Sequence, residues 1–279
     1  MFEEIYHEYL LHRNDENTEE RYVGNEGWYH ASGAGLCSRK LYYESVEKIP
    51  TKTKTFEEME GKERAGQRKM GLGTIIHEDI QNALIYYNNI YYNTHSKEKE
   101  KKELLTYKKK KFEDLKFKVE GEVTLPSLNV RGFYDILLFD SSVSKNEPYV
   151  KLYDIKTLGA WQWSKRFPQP GKGFPPKPGG HYYLQLGTYG LAIKEKYGNL
   201  DHLGLIFYNI NTQIMRETVV PHSYVDEARR YWYSINEEHA KGLPKFREGT
   251  SPVHEWVCAY CQFKEHCNPP TYRRETWQS

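Results

Sequence analysis

Apolar positions along this chain recur with two different periods. Between Met70 and Tyr87, Ile75, Ile76, Ile80, Ala83 and Leu84 fall roughly on one stripe, which predicts a helix carrying His77. The segments 118–126 and 129–140 alternate instead, and read as two strands joined by Pro126-Ser127-Leu128, a hairpin. Residues 149–157 predict a third strand, and 203–210 with 214–220 a second strand pair. Helical patterns return at 181–198, ended by Gly198 as a left-handed stop, and at 224–242.

The remaining segments carry weaker patterns. The first 27 residues read as a short helix and a polar loop. In WYHASGAGLCSRKLYYES (28–45), Ser32 or Gly33 is expected to open a helix with Cys37, Leu41 and Tyr42 on one face. Residues 47–70 are charged and poor in apolar groups, as in a surface excursion, and 97–118 carry ten lysines and five acids. Residues 161–180 hold five prolines and four glycines, so no regular structure is expected there. Strands and helices in mixed order predict an α/β or α+β fold: a central mixed β-sheet flanked by helices. One domain over 1–279 is expected, with its core at about 70–220.

Composition narrows the function classes. Apolar residues make up 38% of the 279, charged residues 28% and aromatics 15%. The 40 Lys and Arg nearly balance the 38 Asp and Glu, which excludes a histone-like polycation and an acidic disordered tail. A nucleic-acid partner would have to meet a local basic surface. There is no apolar run of membrane-spanning length, and MFEEIYHEYLLHRNDENTEE is unlike a signal peptide, so a cytoplasmic protein with no membrane partner is expected.

Three of the four cysteines form C-x2-C-x5-C (Cys258, Cys261, Cys267), and the fourth is Cys37. Without a secretory signal, disulfides are disfavoured and a shared metal site is the better reading. Four thiolates suit tetrahedral zinc or an iron–sulfur cluster, and their spacing does not separate the two. Such a site would join segments 28–46 and 254–268, and with them the two ends of one closed domain.

Asp135 and Asp154 sit in hydrophobic strand contexts, where an unpartnered carboxylate is costly. Two such acids converging from neighbouring strands would make a hard-oxygen site for Mg²⁺ or Mn²⁺. Lys156 lies two residues from Asp154, hence on the same strand face. A lysine there can help hold an attacking water or, as the neutral amine, deprotonate it, and as an ammonium it can stabilise a pentavalent phosphate. For D-x-K alone, a cross-strand ion pair is the bland alternative. Gln185 and Tyr189 share one helix face at i, i+4. Glu78 and Glu122 are secondary acids with no assigned role.

Taken together, Gly132 to Asp135, Asp154-Ile155-Lys156, Gln185 to Tyr189, the preceding His77 and the four-cysteine frame resemble the RecB-like branch of the PD-(D/E)XK nucleases. More narrowly they are similar to its iron–sulfur branch, which includes CRISPR-associated RecB-like and AddB-type exonucleases. The resemblance spans roughly residues 28–268. It implies a restriction-endonuclease-like core and cation binding by His77, Asp135, Asp154 and the Ile155 carbonyl. It further implies Lys156 as the catalytic lysine, with Gln185 and Tyr189 holding the substrate strand or orienting that lysine. Cys37, Cys258, Cys261 and Cys267 would hold a [4Fe–4S] cluster acting mainly as a structural clasp. Cys37 is followed by Ser38-Arg39-Lys40 where relatives often have Pro-Arg, and the chain has no Walker A motif, hence no helicase.

The Pro/Gly-rich segment offers Lys165, Arg166, Lys172 and Lys177 interleaved with Trp161, Trp163, Phe167 and Phe174, without an acid. Cations with exposed rings are the usual means of gripping single-stranded nucleic acid. The lysines at 108–111 read as a solvated run. The function expected is therefore a metal-dependent DNA exonuclease acting on single-stranded or frayed ends, serving recombination, replication or CRISPR adaptation, with a protein from one of those processes as partner. The alternative is a non-catalytic nucleic-acid-binding protein with a structural cysteine metal site.

Overall fold

A computed structural model describes residues 2–22, 27–50, 54–92, 114–142, 144–168, 180–245, 257–258, 261–264 and 266–267. Six strands form one mixed sheet: β1 (Tyr29–His30), β2 (Leu115–Leu125), β3 (Val130–Asp140), β4 (Tyr149–Leu158), β5 (His202–Asn209) and β6 (Met215–Val219). They run in the order β1-β3-β4-β5-β6, with β2 also on β3. β2, β3 and β4 form antiparallel pairs, β4 and β5 a parallel one, and β5 and β6 an antiparallel one. The helices are α1 (Phe2–Tyr22), α2 (Ser38–Ser45), α3 (Gly61–Tyr92), α4 (Ala160–Arg166), α5 (Gly180–Tyr197) and α6 (Ser223–His239). Among the described residues no helix is long and apolar enough to cross a membrane.

The alternation along β2 fixes the layers. Phe117 and Lys118 are neighbours and point to opposite faces. The Phe117 ring meets Tyr87 of α3 at 6.1 Å, whereas Lys118 donates to the Tyr197 hydroxyl of α5 at 3.1 Å. So α3 and α5 cover opposite sides of the sheet. The main core lies between the sheet and the α5–α6 layer, where Leu137, Leu152, Leu186, Leu191, Phe207 and Trp232 are at most 2% exposed.

The hairpin forms as the alternation predicts, with Pro126–Leu128 as a single 3-10 turn and Asn129 left-handed at φ 54. Gly198 ends α5 at φ 81, a conformation that costs glycine little.

Five expectations need correction. The first helix is not short: no Pro or Gly interrupts 2–22, and Glu3 and Glu4 complement its N-terminal dipole. Residues 61–70 are not a loop excursion but the opening of α3, because Lys, Glu, Arg, Gln and Ala are good helix formers even without an apolar stripe. On α3 itself Ile75 and Ala83 are exposed, and the inward stripe is rotated to carry His77, Ile80, Gln81, Leu84 and Asn88. Residues 160–166 are helical, because every Pro and Gly counted against regular structure there falls at or beyond Pro168. Cys37 precedes its helix instead of riding on it: its backbone is extended (φ −103, ψ 117), and α2 begins at Ser38.

Candidate active site

β3 and β4 pair from Asp140↔Tyr149 to Ile136↔Tyr153 and then separate. β1 takes up the vacated side of β3 at Val130 and Arg131. The two central acids, Asp135 and Asp154, stand where the strands part. Asp135 Oδ2 accepts a hydrogen bond from the Ile155 N–H at 2.6 Å, satisfying a backbone donor that has lost its ladder partner. The face alternation of β3 also breaks here: Tyr134 and Leu137, an odd number of residues apart, both belong to the core beneath α5 and α6. The gap is therefore open to helices on both sides of the sheet.

Each side supplies its predicted groups. From α3, His77 Nδ1 lies 3.6 Å from Asp135 Oδ2. From α5, the Gln185 amide donates to Asp154 Oδ1 at 3.4 Å and to the Tyr189 hydroxyl at 2.9 Å. Lys156 Nζ is 2.6 Å from Asp154 Oδ2 and 5.1 Å from the centre of the Tyr182 ring. Gly132 lets this assembly close: a Cβ there would come within 2.8 Å of Tyr189 and 2.9 Å of Ala31.

The electrostatics separate the two acids. Burial pushes Asp154 up, Lys156 pulls it down and the charge of Asp135 pushes it up again, leaving it at about 6. Burial also raises Asp135, but the His77 imidazole, the Lys156 ammonium and the Ile155 N–H prevail and hold it below the usual carboxylate range. Burial would favour a neutral Lys156, yet Asp154 and Asp135 hold its ammonium above the ordinary lysine value. Two carboxyls driven apart around one cation is the pattern expected where acid–base or ion-binding work is done.

The sequence gives the family. A profile described as PD-(D/E)XK nuclease superfamily matches residues 87–268, more than half the chain. The chain belongs to the PD-(D/E)XK nuclease superfamily. No curated protein matches it in sequence. The crystal structure of SSO0001 has a similar fold, with a TM-score of 0.50 and 17% identity over 96% of this chain and 98% of that one. A putative exonuclease from Eubacterium rectale aligns over 92% of this chain and 95% of its own, at 13% identity and a TM-score of 0.46. LHK-Exo, an alkaline exonuclease from Laribacter hongkongensis, aligns over 81% and 94%, at 14% identity and a TM-score of 0.38.

In this PD-(D/E)XK nuclease the donor chemistry fits a hard divalent cation. Asp154 Oδ2 is buried and faces the Lys156 ammonium at 2.6 Å. With Asp135 and His77 it makes an oxygen-rich set with one imidazole, as Mg²⁺ or Mn²⁺ accepts. Among the described residues no three His, Cys, Asp or Glu side chains already close on a single point. Glu122 is paired with Arg131 and Glu78 is exposed, so neither joins the acids.

The four cysteines, all among the described residues, lie around a second site without closing on a single point. Cys37, Cys258, Cys261 and Cys267 line one pocket together with Lys40 and Lys264. Burial pushes the Cys261 thiol up, and Cys267 Sγ accepts from the Arg39 guanidinium at 3.3 Å. Four soft donors around one pocket, with cations beside them, fit an anionic thiolate–metal centre.

The basic aromatic segment divides. Trp161 is 68% exposed and Lys165 Nζ lies 3.7 Å from its ring centre. Trp163 instead packs on Phe167 and the core, and Arg166 turns inward over Phe207 at 4.2 Å and reaches the Tyr183 hydroxyl. Trp163 and Arg166 are half-buried, whereas Trp161 and Lys165 of the same helix are exposed. Lys172, Phe174 and Lys177 lie outside the described residues, as do the lysines at 108–111.

Gln81 stands near the acids without belonging to any of the sequence motifs. Gln81 is 4% exposed, and its amide donates to Glu120 Oε1 at 2.9 Å and to the Asp135 carbonyl at 3.3 Å. Its signal in the sequence is its i+4 spacing from His77.

Proposed function

We propose that this protein is a metal-dependent DNA exonuclease of the RecB-like, iron–sulfur kind, acting on single-stranded or frayed ends within a single cytoplasmic domain. The observation that carries the reading is the gap between β3 and β4, which gathers Asp135, Asp154, Lys156 and His77.

His77, Asp135, Asp154 and the Ile155 carbonyl would hold one or two divalent cations. When bound, Mg²⁺ or Mn²⁺ supplies neutralisation of phosphate charge and a nucleophile at neutral pH. Lys156, held as an ammonium, stabilises the charge that builds on the phosphate oxygens. Gln185 orients Asp154 and is itself oriented by Tyr189. The exposed Trp161–Lys165 pair suits a flexible strand, the ring stacking on a base and the ammonium meeting a phosphate. The four cysteines would hold a [4Fe–4S] cluster that clasps α2 to the C-terminal segment. A partner from recombination, replication or CRISPR adaptation fits the same chemistry.

The test is cleavage of end-labelled single- and double-stranded DNA with Mn²⁺, Mg²⁺ or chelator. Asp154→Ala and Lys156→Ala are expected to abolish cleavage while DNA binding persists. Cation-dependent cleavage at the wild-type rate in either variant would defeat the assignment. For the clasp, purified protein is expected to be brown and to contain iron and acid-labile sulfide. A colourless, zinc-loaded protein of full activity would remove the iron and leave the nuclease.

A further inference from the structure

We infer that Gln81, oriented by Glu120, is a positioning residue that sets the backbone of Asp135 and through it the aim of that carboxylate. The inference rests on the proposed role of Asp135.

Three observations converge. Glu120 and Asp135 face one another across the β2–β3 ladder at a rung the register skips, between Val119↔Ile136 and Gly121↔Tyr134. Glu120 holds a left-handed backbone, φ 48, inside a strand, a conformation that is costly for a residue bearing a Cβ. Such strain persists only where the surroundings over-determine it. Gln81, buried on α3, spans both residues with one amide nitrogen, donating to the Glu120 carboxylate and to the Asp135 carbonyl.

The orientation of that amide is chemically forced. A carbonyl accepts only, and an ionised carboxylate accepts only, so both partners require the NH₂ end of Gln81. Glu120 thereby prevents the amide from presenting its oxygen to Asp135. Asp135 is held twice over, by Gln81 at its carbonyl and by the Ile155 N–H at its carboxylate. His77 and Gln81 are one turn apart on α3, so the helix that brings the imidazole also fixes the peptide to which its partner belongs.

The experiment compares Gln81→Glu, Glu120→Gln and the double variant, with Asp135→Ala as control, by steady-state cleavage of end-labelled single-stranded DNA and by thermal melting. In Gln81→Glu a carboxylate faces two acceptors, and kcat is expected to fall roughly 10- to 100-fold with KM little changed. Glu120→Gln keeps an acceptor oxygen and stays near wild type. The double variant reverses the donor and acceptor of the α3–β2 tether, so it regains the wild-type Tm, yet it still sets a carboxylate against the Asp135 carbonyl and stays slow. Recovery of kcat together with Tm in the double variant would reduce Gln81 to a structural tie and overturn the inference. Wild-type kcat in Gln81→Glu would overturn it too. An active Asp135→Ala would instead bring down the proposed function, whereas an inactive Asp135→Ala beside a fully active Gln81→Glu brings down the positioning role alone.

Discussion

The carboxylate of Asp135 substitutes for a missing strand: its Oδ2 takes the N–H of Ile155 at 2.6 Å where β3 and β4 have ceased to pair. One acid is thus both part of the sheet and part of the site. Asp135→Asn keeps a neutral oxygen that can accept the Ile155 N–H, and Asp135→Ala does not. Both are expected to lose cleavage, but the asparagine variant should melt close to wild type and the alanine variant should be destabilised by about 1–3 kcal/mol, the usual result of orphaning a buried donor. Equal melting of the two would show that the bond to Ile155 contributes nothing to stability.

Gly132 is expected to tolerate no side chain. Its Cβ would press on the Tyr189 ring and on Ala31, and Tyr189 is bonded to Gln185, which holds Asp154. Gly132→Ala should cost about 1–3 kcal/mol by overpacking and lower kcat as well. Thermal melting and single-turnover cleavage check the two effects separately.

The two tryptophans of α4 should behave differently although they are two residues apart. Trp163 packs on Phe167 beneath Arg216, so Trp163→Ala should destabilise by about 2 kcal/mol, less than for a fully buried ring. Trp161 is exposed against Lys165, so Trp161→Ala should leave Tm unchanged and weaken binding of fluorescent single-stranded DNA several-fold, in line with the loss of one base stack. Unchanged binding by Trp161→Ala would remove α4 from the DNA interface.

Stability should fall on mild acidification through His239. Burial lowers its pKa below the ordinary histidine value, against the opposing pull of the Ser38 carbonyl and Glu238. Its Nδ1 faces the Tyr29 hydroxyl at 2.8 Å, its Nε2 faces Ser38, and the Tyr42 ring packs on it. The unfolded imidazole takes up a proton near pH 6.5, and the folded one only at lower pH. Between those two values the unfolded state binds more protons, so stability is complete above about pH 6.5 and declines as pH falls through the folded value. In chemical denaturation as a function of pH, His239→Gln should flatten that slope.

Much of the architecture is local and was legible in the amino-acid order. Alternation placed β2 through β6, Gly198 stopped α5, and period two put Lys156 on the Asp154 side of β4. Each of these depends on neighbours a few residues away, which periodicity and turn chemistry encode directly. The exceptions are local too, and fall where composition conceals position. The breakers after Pro168 obscured the seven helical residues before it, and charge along 61–70 concealed good helix formers.

The chain order alone therefore determined which elements form and which acids are costly to bury. Tertiary structure alone decided that β3 and β4 part at those acids, that α3 and α5 reach them from opposite faces, and that Arg166 turns inward while Lys165 does not. It also brought Gln81 to Glu120 and Asp135, and gathered Cys37 with Cys258, Cys261 and Cys267 around one pocket. The physical reason is that such meetings depend on how paired strands twist and separate, and that is set by the packing of the whole sheet against its helices and not by the spacing of residues along one strand.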